Sequence, residues 1–280
     1  MANEIVKYRN IMNRLQFYNF TETDLDLLMA ICAKVRDIGV EVICLNYDYI
    51  MDIIKWDRHQ SIDLFHKSLM RVSDKLRHVG GVIEISDGVF DVFNLFTTFK
   101  GEKEKRLLTV KVNEDFKYIL NDLTSNFTKF ELAEYISLDG RYAKMLYQRL
   151  KQFRRTGWWN VSLGDIQMEL DIPKSYKAND IVKRIIKPSV EAIKGCKGFS
   201  DLEVEEIRSR RRGRAIEGFI FRWTAEKQIP GQLRIEDILR DAEENPKKRK
   251  KSKNPFNDYP QTTYDFDEIY KKVVKNRPDD

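Results

Sequence analysis

The stretch WWNVSLGDIQMELDIPKSYKANDIVKRIIKPSVEAIKGC, residues 158–196, decides the fold of this chain. Its first five residues are predicted to form a strand, and residues 163–170 a short helix. A longer helix is predicted over residues 178–194, with apolar side chains on one face and Gly195 at its end. The polar residues 171–177 connect the two helices. This order predicts a helix-turn-helix motif.

A β-hairpin is predicted directly after this motif. Its strands are expected at residues 201–209 and 215–224, with the sequence RRGR, residues 211–214, at the turn. Before the motif, helices are predicted at residues 131–137 and 141–155. A helix, a strand, a helix-turn-helix and a hairpin in this order are typical of the winged-helix fold, in which the hairpin is the wing.

The same layout occurs earlier in the chain, without evident residue identity. Thr21 and Asp24 fit a capping box at the start of a helix whose apolar stripe continues to Val35. The elements after it are expected in the same order: a strand at 40–45, a helix at 47–56, a link at 57–60, a helix at 61–78, a hairpin at 82–96 with its turn at Asp87-Gly88, and a strand at 107–112 that completes the hairpin's sheet. The sequence therefore predicts an α+β fold of two tandem winged-helix domains.

Charge differs between the two predicted domains. We place the first domain at residues 1–124, the second at 125–228, and a flexible basic tail at 229–280. The first contains 17 Lys and Arg against 19 Asp and Glu, whereas the second contains 21 against 14. The tail includes NPKKRKKSKNP, residues 245–255, which cannot build a core. This asymmetry is typical of a polyanion-binding module joined to a more neutral one.

Basic side chains concentrate at the predicted helix-turn-helix and wing of the second domain. Arginine suits phosphate oxygens and guanine edges, and clustered arginines repel one another unless an anion neutralises them. Pro188 is expected to interrupt the hydrogen-bond ladder of the longer helix and to kink it. The candidate DNA-binding residues of the link and helix are Lys174, Ser175, Tyr176, Lys177, Asn179, Lys183, Arg184 and Lys187. Those of the wing are Arg208, Arg210, Arg211, Arg212 and Arg214. A polar stripe on the preceding helix adds Lys144, Lys151 and Arg155.

The long helix of the first domain also carries a basic stripe. Lys67, Arg71 and Lys75 lie on one face, but Asp63 and Asp74 share the helix. Contact with DNA and contact with protein are therefore equally compatible with this pattern.

The sequence lacks signatures of a catalytic, metal or cofactor site. It contains no GxxxxGK[ST] motif for nucleotide phosphates, and its three histidines form no His-x-His pair. Cys32, Cys44 and Cys196 lie among apolar residues and predict reduced core thiols in a cytoplasmic protein. We therefore expect no enzymatic activity, no cofactor and no metal. No apolar run is long enough to span a membrane, so no membrane partner is expected.

Three stretches resemble the Rep initiator proteins of iteron-containing, theta-replicating plasmids. The resemblance covers about residues 5–225 and leaves out the tail. The first runs from YRN to NFT at 8–21 and includes the amphipathic helix after it. The second contains FELAEYI at 130–136 and YAKMLYQRLKQF at 142–153. The third contains LDIPKSYK at 170–177 and IKPSVEAIK at 186–194.

The resemblance implies a specific function in the bacterial cytoplasm. Family members bind repeated origin sites as monomers, help to open the duplex, and recruit the host initiator and helicase. As dimers they bind an inverted repeat and repress their own gene. The second domain is then expected to make the main base contacts, and the first to dimerise and contact DNA weakly. Carried over by position, the expected groove or phosphate contacts are Tyr176, Lys177, Lys183, Arg184 and Lys187.

Two other classes of protein share some of these features. A tandem winged-helix transcription repressor would have the same physical features and differ only in having no role in replication. A rolling-circle nickase would need a metal-binding His-x-His pair, which the sequence does not contain.

Overall fold

The computed structural model describes residues 4–226, apart from residues 16, 18, 58, 78–81, 87–88, 93–94, 122, 124–125 and 212–213. The described residues belong to one compact unit, which spans residues 1–228. The predicted turn at Asp87-Gly88 and the predicted tail at 229–280 lie outside the described residues.

The elements form two series of similar order. The first is β1 (Ile5–Arg9), a 3₁₀ turn (Asn10–Arg14), α1 (Glu22–Val35), β2 (Ile43–Asn46), α2 (Tyr47–Ile53), α3 (Ile62–Leu76), β3 (Val82–Ser86), β4 (Val89–Val92), β5 (Phe96–Glu102), β6 (Leu107–Val112) and a 3₁₀ turn (Glu114–Ile119). The second is β7 (Phe127–Glu131), α4 (Leu132–Ile136), α5 (Arg141–Gln152), β8 (Trp158–Ser162), α6 (Leu163–Glu169), α7 (Ala178–Ile181), a π turn (Val182–Ile186), α8 (Lys187–Lys194), β9 (Glu203–Arg208) and β10 (Ile216–Arg222). Each series contains the elements of a winged helix.

Each series builds a three-stranded antiparallel sheet with the same topology. The strand orders are β2-β6-β5 and β8-β10-β9, so the strand before each helix-turn-helix pairs with the last strand of the wing. The first wing is therefore the β5–β6 hairpin, and the prediction that 82–96 forms it was wrong. β3 and β4 form a separate two-stranded hairpin within the described residues. The alternating pattern revealed a true hairpin, but a local pattern does not show which sheet a hairpin joins.

A two-stranded ribbon joins the two series. β1 and β7 pair antiparallel, with Val6 opposite Phe130 and Tyr8 opposite Thr128 on the buried face. The two strands hold corresponding positions at the start of each series. The ribbon therefore pairs the first strand of one series with the first strand of the other.

Helix α1 lies at the centre of the unit. The predicted capping box is confirmed, because the Thr21 side chain accepts from the Asp24 N–H and the Asp24 side chain accepts from the Thr21 N–H. Residues 24–33 are buried on every side, not along one stripe as the apolar spacing predicted. α1 packs against α3 of its own series and against α4 and α5 of the other. The two series therefore share part of their core.

The longer helix of the second helix-turn-helix runs through residues 178–194 and is called here the second recognition helix. Its middle turn is wider than an α-helix, since the Lys187 N–H bonds the Val182 carbonyl oxygen five residues back. Pro188 has no N–H to donate, and its ring crowds the carbonyl four residues earlier. A π turn directly before it accommodates both effects. The predicted interruption of the ladder thus takes the form of a wider turn.

Candidate nucleic-acid interface

The second recognition helix has one buried face and one basic face. Lys183, Arg184 and Lys187 are exposed. Arg184 lies 3.7 Å from the Asp180 carboxylate. In the part of the chain that the structure describes, no carboxylate lies within ion-pair distance of either lysine. The opposite face is formed by Ile181, Val182, Ile185, Ile186, Val190 and Ile193, which are all buried.

The link before this helix presents further polar side chains. Lys174, Ser175 and Lys177 are exposed, as is Asn179 in the first helical turn. Tyr176 is half-buried and packs against the core, and its N–H donates to the Pro173 carbonyl oxygen at 3.0 Å. Tyr176 therefore anchors the link, while its neighbours point to solvent.

The second wing carries an exposed group of arginines at its tip. Arg210, Arg211 and Arg214 are exposed, and no described carboxylate lies within ion-pair distance of them. The turn is closed by hydrogen bonds from Arg214 N–H to the Arg211 carbonyl oxygen at 3.0 Å and from Ser209 N–H to the Ala215 carbonyl oxygen at 2.8 Å. Arg208 differs because it forms an ion pair with Glu206. Arg212 lies outside the described residues.

Lys144 does not contact solvent, which corrects its prediction as a DNA-binding residue. Its side chain is completely buried, with Nζ 2.8 Å from Asp26 of α1. It also donates to the Tyr135 carbonyl oxygen at 3.0 Å. Burial raises the pKa of Asp26 to about 7, although the charge of Lys144 opposes this shift. The ion pair connects the two series inside the shared core.

Lys151 also makes internal contacts, which disfavour its predicted role as a DNA contact. Its Nζ lies 3.3 Å from Glu134 and 5.1 Å from the centroids of the Tyr147 and Phe199 rings. Only 12% of its side chain is exposed. Arg155, the last candidate on this stripe, is exposed. The helical spacing identified a polar stripe but could not reveal its partners.

The basic stripe of α3 is bound to a buried carboxylate. Arg71 lies 2.8 Å and Lys75 2.6 Å from Asp24, whose side chain has no exposed surface. Burial raises the pKa of Asp24, but hydrogen bonds from Lys75, Thr21 and Arg71 outweigh it and hold that pKa below its usual value. Arg71 and Lys75 are therefore paired inside the first series, and their role as DNA contacts stays a prediction. Lys67 is exposed.

The first wing is basic at its tip, a feature that the sequence interpretation missed. Its turn is KEKR, residues 103–106, a signal that was visible between the strands. Each cation of this tip is paired with a carboxylate. The pairs are Lys103–Asp63 at 3.0 Å, Lys105–Glu102 at 2.7 Å and Arg106–Asp48 at 2.9 Å.

Metal and thiol chemistry find little support in the described part of the chain. No group of three or more His, Cys, Asp or Glu residues there is placed to hold a metal ion. Cys32 and Cys196 are buried thiols as predicted, whereas Cys44 is exposed because β2 turns that residue outward. Among the helices that the structure describes, none is long and apolar enough to cross a bilayer.

Two family models match the chain over most of the described region. The model "Initiator Replication protein, WH1" matches residues 5–151, and "Initiator Rep protein, WH2" matches residues 162–223. The chain belongs to the initiator replication protein family. Two tandem winged-helix domains are therefore confirmed. The first match extends past residue 124, and the predicted boundary between residues 124 and 125 stays a prediction.

A curated relative and a solved structure agree with this assignment. The chain is 32% identical over 228 residues to "Probable replication protein rep" of Bifidobacterium longum (strain NCC 2705), covering 81% of this chain and 74% of the relative. It is similar in fold to the Pi initiator protein, solved in complex with iteron DNA. That match has a TM-score of 0.61 and 13% identity, and covers 81% of this chain and all of the Pi chain.

Proposed function

We propose that this chain is a plasmid replication initiator that binds repeated origin DNA mainly through its second domain, residues 125–228. The observation that carries the proposal is the exposed basic surface of the second recognition helix and wing tip, on which most cations have no described carboxylate within ion-pair distance. In a winged helix the recognition helix enters the major groove, and the wing flanks the backbone or the minor groove. Both elements here carry cations where DNA would lie.

The two basic elements are suited to different contacts. Lys183, Arg184 and Lys187 project from a rigid helix, which is the arrangement that reads base edges. The arginines of the wing tip and the lysines of the link suit phosphate contacts, which position the protein without reading sequence. Affinity then comes largely from the wing and link, and specificity from the helix.

The first domain is proposed to make protein contacts and weaker DNA contacts. Most of its basic side chains on α3 and the first wing already hold carboxylates. Leu64 and Met70 on α3 are 44% and 60% exposed, which suits contact with another protein. We propose that this domain forms a weak dimer that binds an inverted repeat and represses the gene. As a monomer, the protein would bind iterons, help to open the duplex, and recruit the host initiator and helicase in the bacterial cytoplasm.

The test uses the full chain and DNA that flanks its gene. Fluorescence anisotropy should show tighter binding to a duplex with one direct repeat than to a scrambled duplex, by about 10³-fold or more at physiological salt. Equal affinity for both would contradict the proposal.

A plasmid maintenance assay separates an initiator from the alternative, a transcription repressor. The plasmid carries its repeats and the gene as its only source of initiator. The variant Lys183→Ala with Arg184→Ala should abolish maintenance of this plasmid. If the wild-type gene represses its promoter but does not maintain this plasmid, the repressor alternative is correct.

A further inference from the structure

The outer face of the β1–β7 ribbon carries cations that neither the second recognition helix nor the wing uses. The strand register places Lys7 directly opposite Lys129, and Arg9 opposite Phe127. Side chains alternate between the two faces of a strand, so these four share the face opposite the buried Val6. Lys129 is exposed, and no described carboxylate lies within ion-pair distance of it.

Further cations extend this face into a cluster. Phe127 lies between two of them, with the Lys7 Nζ 4.3 Å and the Arg154 guanidinium carbon 5.3 Å from its ring centroid. At the other end of β1, Arg36 donates to the Ile5 carbonyl oxygen at 2.9 Å. We call the group Lys7, Arg9, Arg36, Lys129 and Arg154 the ribbon cluster.

The ribbon cluster is electrostatically unfavourable in the protein alone. Like charges directly opposite each other on paired strands destabilise a sheet. The pKa of Lys7 is lowered first by burial and then by the positive charges of Lys129, Arg36 and Arg154, while Asp37 opposes the shift. Among the described residues, the carboxylates near these cations are Asp37 and Glu4 with Arg36, Glu226 with Arg154, and Glu131 at the end of the ribbon. Cations remain in excess.

We propose that the ribbon cluster is a second DNA-binding site that takes the phosphodiester backbone. The inference rests on the proposed DNA binding of the chain but assigns a different surface. The ribbon is formed by the first strand of each series and so belongs to neither helix-turn-helix. The phosphates that it contacts come from the repeat itself, from DNA beside it, or from a second duplex.

The test compares full-length Lys129→Gln with the matched variant Lys111→Gln. Lys111 also lies on a strand, at the outer face of the first sheet, and its substitution removes the same charge. The dissociation constant is measured against salt concentration on three substrates: a short duplex with one repeat, the same repeat with long flanks, and the short duplex with an added unrelated duplex. Lys129→Arg serves as the charge-preserving control.

Lys129→Gln should flatten the slope of log K against log salt by about 0.9, the value for one lost phosphate contact, on at least one substrate. The substrate that shows the change identifies the source of the phosphates. Without DNA, Lys129→Gln should raise the Tm, since it removes a like-charge pair. Lys129→Arg should keep the wild-type Tm and the wild-type slope. Lys111→Gln should leave the slope unchanged.

An unchanged slope for Lys129→Gln on all three substrates would overturn this site. Equal flattening by Lys111→Gln would also overturn it, because the effect would then reflect net charge alone. The preference of the wild type for repeat over scrambled DNA tests the proposed function separately. A wild type with no such preference, but with a Lys129-dependent slope, would refute the proposed function and retain the ribbon site.

Discussion

The two winged helices have one topology but differ in how many of their cations are paired with carboxylates. In the first, Arg71 and Lys75 hold the buried Asp24, and all three cations of the wing tip hold carboxylates. In the second, Lys183, Lys187 and the described arginines at the wing tip, apart from Arg208, have no described carboxylate within ion-pair distance. The fold alone does not make a nucleic-acid interface. We expect the placement of acidic side chains to determine which copy binds an anion.

Internal pairing makes a cation a poor ligand for phosphate. Phosphate binding would compete with the contacts of Arg71 and Lys75 to Asp24, and loss of both contacts would leave this carboxylate buried without a partner. Breaking a buried ion pair in this way is strongly unfavourable. The solvated arginines of the second wing have no such cost, and DNA binding relieves their mutual repulsion.

The largest expected effect concerns a buried cation and not an exposed one. Lys144→Ala removes the partner of Asp26, so the free energy of unfolding should fall by about 3–5 kcal/mol, as measured by urea denaturation. The DNA affinity of the folded fraction should not change. Replacing both partners, with Lys144→Met and Asp26→Leu, should restore most of the stability. A stable Lys144→Ala variant with weakened DNA binding would show that Lys144 contributes to the DNA interface.

A smaller effect is expected at the second recognition helix. Lys183→Ala with Arg184→Ala should weaken binding to the repeat by about 1–3 kcal/mol for each residue that contacts a base. Binding to unrelated DNA should weaken much less, since phosphate contacts carry it. Lys67→Ala on α3 is the matched change in the first series and should have less effect on the repeat. Equal losses on both DNAs would assign Lys183 and Arg184 to the backbone only.

A further prediction concerns the pH dependence of stability. The pKa of Asp26, about 7 in the folded protein, exceeds its value in the unfolded chain, so the folded state binds the proton more tightly. Asp26 therefore contributes stability at low pH that is lost as the pH rises through about 7. The difference in unfolding free energy between wild type and Asp26→Asn should fall from pH 4 to pH 7. A difference that rises over this range would show that Asp26 is ionised in the fold.

Asp24, two residues before Asp26, is predicted to give the opposite pH dependence of stability. Its pKa is held below the usual value, so its contribution is present at neutral pH and is lost as the pH falls. Urea denaturation of the wild type and of Asp24→Asn should show this reversed trend below about pH 4, the ordinary titration range of an Asp carboxyl, and little change above it. The two carboxylates thus serve as internal controls for each other.

Local features of the fold could be predicted because residues near in sequence determine them. The capping box of Thr21 and Asp24 and the buried face of the second recognition helix depend on spacings of three or four residues. The partners of the predicted site residues could not be found in this way, because they come from distant elements. Arg71 and Asp24 are 47 residues apart, so no local spacing connects them.

The same limit explains why the first wing was predicted at the wrong hairpin. The hairpin at β3–β4 has the stronger local signal, whereas β5 and β6 were identified as the wing only by their pairing with β2. The sequence KEKR between them was visible, but its acidic partners Asp48 and Asp63 come from α2 and α3. A count of charges therefore distinguished the two predicted domains but did not show which of their cations are paired with carboxylates.

The most direct test of the comparison is a pair of matched triple variants of the full chain. One variant removes three cations from the second wing tip, with Arg210→Ala, Arg211→Ala and Arg214→Ala. The other removes three cations from the first wing tip, with Lys103→Ala, Lys105→Ala and Arg106→Ala. The dissociation constant for a duplex with one repeat is measured against salt concentration. The second-wing variant should flatten the slope of log K against log salt by up to about 2.7, or 0.9 for each lost phosphate contact, while the first-wing variant should keep nearly the wild-type slope. Equal flattening by both variants, or greater flattening by the first, would contradict the claim that unpaired cations place DNA binding in the second winged helix.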